Sequence, residues 1–257
     1  MKKSTKLLMA LLVIQLLFHG CGGGGGGGGD DSGDTGGVVS DNTDTNNDAA
    51  DDVTGGATGD FDLAAYHFDA SLGQVGVAIS YESHMHNLQT GDEILAGFEN
   101  SEQWETVADN TVVFSVNNTG EPSDTFVIRD TQIEDTQHDN DGVILNMTRF
   151  VSIGDTYLNE DVSTLLSPDS NISCQVLDHM DSFDISTLTL GMADGVYNDV
   201  LHVRCLFTVN QAPLSDVETF YARGIGHVLG IENVGLFSGG PSVVIPLRSG
   251  TIYYGSG

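Results

Sequence analysis

The sequence predicts an all-β protein, in which a single antiparallel domain with a curved sheet forms a sandwich or an open barrel behind a disordered N-terminal tether. Two observations favour this class. Apolar and polar residues alternate with a period of two along many short segments, and clusters of Gly, Asp, Asn and Ser separate these segments. Helical patterns do not alternate with the strand patterns, so nothing indicates a parallel sheet.

Residues 1–20 have the parts of a secretory signal peptide in the required order. Lys2, Lys3 and Lys6 give a basic start, and a mostly apolar run occupies residues 7–18. This run is shorter than the roughly 20 residues that a transmembrane helix needs. We therefore expect export, and a mature chain that does not span a bilayer.

The residues Leu17-Phe18-His19-Gly20-Cys21 resemble the lipobox of bacterial lipoproteins. In that family the chain is cleaved just before the cysteine, which becomes the acylated N-terminus. The resemblance implies lipidation of Cys21, and Gly22 after it, in place of Asp, implies the outer membrane. The body would then face the periplasm or the cell surface, and the lipid bilayer would be its partner through the acyl chains. An ordinary signal peptide with a chance cysteine is the alternative.

Residues 21–60 are predicted to be the lipidated cysteine and a disordered linker. Eight glycines fill 22–29, and the stretch that follows is rich in Asp, Gly, Thr and Asn. Such a composition cannot bury enough apolar surface to offset the entropy of ordering the chain. As a flexible coil it would extend roughly 35 Å. The globular domain is predicted over 61–257.

The charge of the chain excludes one class of partner. All three lysines lie in the signal segment, and after residue 21 five arginines stand against 37 acidic residues, a formal charge of −32. Nucleic-acid binding depends on Lys and Arg that displace phosphate counterions, so we expect no nucleic-acid partner. Divalent cations are candidate partners, and a merely solvated acidic surface is the alternative.

Strand-type alternation recurs along the body. In the first segment Val77, Ile79 and Tyr81 face one way and polar residues face the other. Turn sequences such as Asn118-Thr119-Gly120 and Ser249-Gly250 separate the segments. The predicted strands are 74–86, 111–116, 125–129, 143–150, 172–179, 183–188, 201–209, 217–222, 227–232, 242–247 and 251–254. A short helix is predicted over 97–108, with Trp104 in the core.

The two cysteines of the body are candidates for a disulfide. Cys174 and Cys205 each lie on the apolar face of a predicted strand, so both side chains point inward and can meet between neighbouring strands. An oxidising compartment permits the bond. Two buried free thiols are the alternative.

The segment Tyr197-Asn198-Asp199-Val200 and the segment from Tyr221 to Val228 together resemble a C-terminal signature of β-rich bacterial envelope lipoproteins. The resemblance implies that architecture over about residues 172–235 and no activity. Gly224 and Gly226 can adopt backbone angles closed to other residues, so a structural hairpin is predicted there. Tyr221 lies on its incoming strand, and Arg223 lies at its corner, where it can bind a carboxylate or free carbonyls.

Glu82, His84 and His86 are the candidate metal ligands. At a spacing of two residues their side chains project from one face of a strand, and two imidazoles with a carboxylate form a partial zinc set. A solvated polar face is the alternative. A further ligand would have to come from elsewhere, and the candidates are His138, His179 and His202.

The sequence favours a non-enzymatic function without a cofactor. It has no Gly-x-Ser-x-Gly motif, and its two body cysteines point away from any base. We therefore expect a membrane-anchored envelope lipoprotein that serves as a binding or structural module. The alternatives are a carrier of an apolar ligand inside the curved sheet and a zinc- or calcium-binding protein.

Overall fold

Antiparallel ladders dominate the computed structural model, which describes residues 59–95, 101–116, 123–137, 143–163, 169–234 and 242–253. These residues contain two short helices, α1 (Leu63–His67) and α2 (Ser186–Thr189), and a 3-10 helix at Ala70–Gly73. The strands are β1 (Phe61–Asp62), β2 (Val77–Asn87), β3 (Glu93–Leu95), β4 (Ser101–Ala108), β5 (Thr111–Val116), β6 (Asp124–Ile128), β7 (Gln132–Gln137), β8 (Val143–Thr148), β9 (Phe150–Val151), β10 (Thr156–Asp161), β11 (Ser170–Asp184), β12 (Val196–Val209), β13 (Ala212–Ala222), β14 (Gly226–Val234) and β15 (Ser242–Tyr253). The predicted all-β class is confirmed.

Most of these strands form one sheet, in the order β10-β11-β12-β13-β14-β15-β2-β4-β5-β6-β7-β8. The C-terminal strand β15 pairs with β2 and so joins the two halves of the chain. The short strand β3 pairs back on β2 beyond the end of the β2–β4 ladder. Strands β8 and β10, at opposite ends of the order, contact each other. The sheet therefore curves around a shared interior.

The N-terminal segment, residues 59–73, is built into this interior. Strand β1 pairs with β9 at the junction of β8 and β10, and Asp62 forms a two-pronged ion pair with Arg149 at 2.9 and 2.7 Å. Asp62 also caps α1 by accepting a hydrogen bond from the Ala64 amide at 3.1 Å. Leu63 and Tyr66 of α1 are buried. The first described residues are thus fixed to the body on several sides.

The interior is filled by side chains from nearly every strand and from this segment. Its largest residue, Trp104 of β4, is fully buried and lies 4.7 Å from the Phe114 ring and 5.3 Å from the Phe126 ring, centroid to centroid. Phe68 packs edge-on against the same indole. Since protein interiors pack at crystal-like density, this cluster fixes how the first half of the sheet lies against the N-terminal segment.

A second apolar cluster lies on the other face of the long β11–β14 ladders. Phe183 stacks on Phe220 at 4.6 Å, and α2 with the chain after it packs nearby. Consequently the ends of β12 and β13 are buried on both faces: Val200 and Leu201 are adjacent in sequence, and both are inaccessible to solvent. The buried residues of this second apolar cluster are Phe183, Ile185, Val200, Phe220, Ala222, Val228 and Leu229.

The helix predicted over 97–108 is wrong where the structure describes it. Residues 101–108 form β4, which is paired on both sides with β2 and β5. Trp104 and Thr106 point inward with a period of two, as strand geometry requires. The neighbouring residues Gln103 and Glu105 are polar, so the segment has no apolar stripe at helical spacing. Pairing with β2 and β5 therefore determines its conformation.

Other boundaries also differ from the prediction. The segment predicted as a strand over 183–188 leaves β11 at Asp184 and turns into α2. The turn predicted at Ser249-Gly250 is a register shift inside the continuous strand β15. Strands β3, β7 and β10 were not predicted, because charged residues interrupt the apolar pattern on which the prediction depended.

Within the described residues, no helix has both the length and the apolar character needed to cross a membrane.

Candidate functional site

The predicted lipidation residue Cys21, the predicted signal peptide and the predicted linker lie outside the described residues, except that Gly59 and Asp60 at the end of that linker are described. Gly59 lies so close to β9 that a Cβ atom there would collide with the backbone of Phe150 and Val151. A residue without a side chain is needed where the predicted linker meets the body.

The metal ligands predicted on β2 are brought together in part. His84 and His86 project from the same face, and the third partner is Glu93 of β3, which stands opposite His86 in the strand register. One ligand atom from each residue lies within 4.8 Å of the other two. His84 Nδ1 is 2.8 Å from Glu93 Oε1. The side chain of Glu82 lies outside the described part of the structure.

Two of the histidines considered as further ligands are engaged elsewhere. His179 Nε2 is 2.8 Å from Asp199 Oδ1 and His202 Nε2 is 2.9 Å from Glu218 Oε2, each on a different strand from the cluster. His138 lies outside the described residues. The cluster on β2 and β3 therefore consists of three residues, and we call it the His84–His86–Glu93 cluster.

A buried nitrogen distinguishes this cluster from a solvated polar face. His86 Nδ1 is inaccessible to solvent and has no hydrogen-bond partner within the described part of the chain. His84 and Glu93 keep 29% and 44% of their side-chain surface exposed. The cluster thus combines one imidazole nitrogen without a partner with two ligands that can adjust their positions.

Cys174 and Cys205 are joined by a disulfide between directly paired positions of β11 and β12. Both residues are buried, and Cys205 Sγ is 3.5 Å from the Tyr157 hydroxyl inside the core. Buried sulfurs of this kind are shielded from thiol exchange. The bond links β11 and β12. Because it is buried, it is not accessible to thiols in solution.

A second polar site is centred on Asp199, a residue for which sequence reasoning assigned no role. Its Oδ1 accepts hydrogen bonds from the Tyr66 hydroxyl at 2.5 Å and from His179 Nε2 at 2.8 Å, and its Oδ2 is 3.4 Å from Arg223 Nη1. The Asp199 backbone has φ 54°, in the left-handed region, and its carbonyl accepts from the Arg223 amide. Phe61 stacks on the His179 ring at 4.8 Å.

Gly224 and Gly226 form a corner next to this site, which we call the glycine corner. Its backbone angles are those predicted from the two glycines. Gly224 has φ 71° and Gly226 has φ 95°, both in the region that favours glycine. They form the tight connection between β13 and β14, with Tyr221 buried on β13. Gly224 also exchanges backbone hydrogen bonds with the N-terminal segment, through Ala65 and Ala70.

The hydrogen bonds at Asp199 affect the protonation states of Asp199 and Tyr66. Partial burial acts to raise the pKa of Asp199, but the bonds from Tyr66, His179 and Arg223 outweigh it, and the pKa is lowered. Burial and the contact with Asp199 raise the pKa of Tyr66 well above its ordinary value. Tyr66 therefore stays protonated and donates, and Asp199 stays ionised and accepts.

These residues line a cleft of about 410 Å³ at the surface. The described residues around it include Asp60, Asp62 and Asp181 beside the Asp199 group, and none is Ser, Thr, Cys or Lys. Asp199 accepts from three side-chain donors, and the group ties together α1, β11, β12 and the glycine corner.

Comparisons with known proteins give two distant structural similarities. No family model and no curated protein matches the chain. The chain is similar to a protein from Bacteroides fragilis described as exported with a YmcC-like fold, at 11% identity and a TM-score of 0.37, over 73% of this chain and 99% of that one. It is also similar to a protein from Parabacteroides distasonis described as a lipoprotein, at 8% identity and a TM-score of 0.29, over 71% and 97%. At these values neither similarity assigns an activity.

Proposed function

We propose that this protein is a lipoprotein of the cell envelope, exported and acylated on Cys21. In this proposal an acidic linker connects the outer membrane to the β body, which acts as a non-enzymatic binding or structural module. The lipobox-like residues and the signal-peptide pattern that precedes them support the anchor.

One structural observation carries the proposal: the point where the predicted linker joins the body is reinforced. Gly59 fits closely against β9, β1 pairs with β9, and Asp62 binds Arg149 through both carboxylate oxygens. Two-pronged Arg–carboxylate pairs are the strongest of their class, and this one is half-buried. The terminal residues of most domains are poorly ordered. A body that is attached to a membrane through its N-terminus needs a junction that stays folded.

The distribution of charge supports a body that stands clear of membranes and polyanions. Of the five arginines after residue 21, four bind carboxylates in the structure, and Arg248 lies on β15, whose side chains are not described. The formal charge of −32 would repel anionic headgroups and phosphates. The linker and its acyl chains, not the surface of the body, would hold the protein at the membrane.

The filled interior weighs against the apolar carrier. Trp104, Phe114 and Ile133 in the first half of the sheet and Leu201 and Phe207 in the second are all buried. An apolar ligand would have to displace side chains that already contact one another. We therefore propose that a binding function uses a surface open to solvent.

Metabolic labelling with a radioactive fatty acid tests the anchor. We expect label on the wild-type protein and on Gly22→Ala, which keeps the acyl acceptor, and none on Cys21→Ser. Density fractionation should place the two labelled proteins with the outer membrane. Equal label on Cys21→Ser, or no label on any of the three, would refute the proposal.

A further inference from the structure

We propose that the β2–β3 hairpin binds one divalent first-row transition-metal ion through His84, His86 and Glu93. The inference names a ligand for the proposed binding module, and it rests on that proposal only for its setting in the envelope. The metal-binding chemistry depends on the body alone, so the two proposals can fail separately.

The strand register places the three ligands. His84 and His86 are two residues apart on β2, so their imidazoles leave the same face of the sheet. The chain then turns, and β3 returns antiparallel to β2 with Glu93 directly opposite His86. A carboxylate from the neighbouring strand therefore lies beside a histidine pair on one hairpin.

The distances require only a small adjustment. The three ligand atoms lie within 4.8 Å of one another, and tetrahedral zinc with bonds of about 2.0–2.1 Å separates its ligands by roughly 3.4 Å. His84 and Glu93 are partly exposed, so changes in their side-chain torsions can bring the ligands together without moving the strands.

Two contacts show what the ion would change. His86 Nδ1 is buried without a partner in the described structure, and a buried imidazole nitrogen left without one is destabilising. A metal ion bound by His86 would fix the orientation of this imidazole. His84 and Glu93 already contact each other at 2.8 Å, so the ion would replace that hydrogen bond and displace any proton that it holds.

The donor set indicates the class of metal. Two imidazoles and one carboxylate suit zinc, nickel or copper, whereas magnesium and calcium prefer oxygen ligands alone. Asp92, adjacent to Glu93 and exposed, adds negative charge near the cluster, and the body as a whole attracts cations. Three protein ligands leave at least one coordination position for water or for a group on a partner.

Zinc titration of the full-length protein by calorimetry tests the inference. The protein is purified in detergent without a histidine tag, freed of metal with a chelator, and titrated in excess magnesium so that its many exposed carboxylates are occupied. We expect one equivalent of zinc to bind. In the double variant His84→Gln/His86→Gln and in Glu93→Gln, affinity should fall by more than roughly tenfold, since loss of even an outer-shell partner costs about 10–100-fold.

The matched control is His202→Gln, which removes an imidazole from another strand that also contacts a glutamate. It should bind zinc as the wild type does. Circular dichroism establishes that each variant is folded, and Glu93→Gln tests the hairpin if the double variant does not fold. Zinc uptake unchanged in the folded ligand variants, or absent from the wild type, would overturn the inference. Zinc binding by Cys21→Ser equal to that of the wild type would show that metal binding is independent of the anchor.

Discussion

Replacing Trp104 by alanine is expected to lower the free energy of unfolding by about 3–5 kcal/mol, the usual cost of truncating a fully buried aromatic residue. The indole contacts Phe68, Phe114 and Phe126 and lies where β4 meets the N-terminal segment. The cavity left behind would remove contacts from all of these rings at once. Urea unfolding followed by circular dichroism measures the change.

Two further substitutions serve as controls for Trp104→Ala. Trp104→Phe keeps much of the volume and removes an indole N–H that has no hydrogen-bond partner among the described residues, so its cost should be clearly smaller. Val75→Ala, at an exposed position, should change stability by less than about 0.5 kcal/mol. A cost for Trp104→Ala as small as that for Val75→Ala would show that the aromatic cluster is not the core.

The second large effect is a loss of stability in acid caused by His67. This side chain is buried against Phe68, Phe126 and Tyr221, and burial lowers its pKa from 6.5 to about 4. Between these two values the unfolded chain binds a proton that the folded chain does not, so stability falls as the pH falls. One pKa unit corresponds to about 1.4 kcal/mol, so the loss between pH 7 and pH 4 is about 3 kcal/mol.

The variant His67→Leu isolates this contribution. Carboxylates also titrate near pH 4, but they do so in both proteins, and the difference between the two pH profiles reports His67 alone. Free energies of unfolding measured from pH 7 to pH 4 should fall about 3 kcal/mol further in the wild type than in His67→Leu. Parallel profiles would mean that His67 is accessible to protons in the folded protein.

Sequence reasoning predicted the strands whose two faces differ in polarity. Apolar and polar residues alternate along most of β2 and β12, and Ile79, Tyr81, Val203 and Cys205 are buried as the pattern requires. The prediction failed for strands in which too few apolar residues show the two-residue period. Strand β7 has the sequence QIEDTQ, in which Ile133 is its one apolar residue, and pairing with β6 and β8 rather than its own composition makes it a strand.

The candidate sites were predictable to different extents. A period of two was sufficient to place His84 and His86 on one face, but Glu93 joins them only because β3 turns back on β2. The Asp199 group was not predictable, since Tyr66, His179 and Arg223 come from three distant parts of the chain. Such groups depend on the complete topology, which a local pattern does not contain.

In the proposed arrangement, the β body is held to the envelope only through its N-terminal lipid and linker. Insertion of a specific protease site after Asp48, within the predicted linker, tests it most directly. Treatment of isolated membranes with that protease should move the folded body into the soluble fraction and leave the acylated N-terminal fragment in the membrane. A body that stays with the membrane after complete cleavage would contradict the claim.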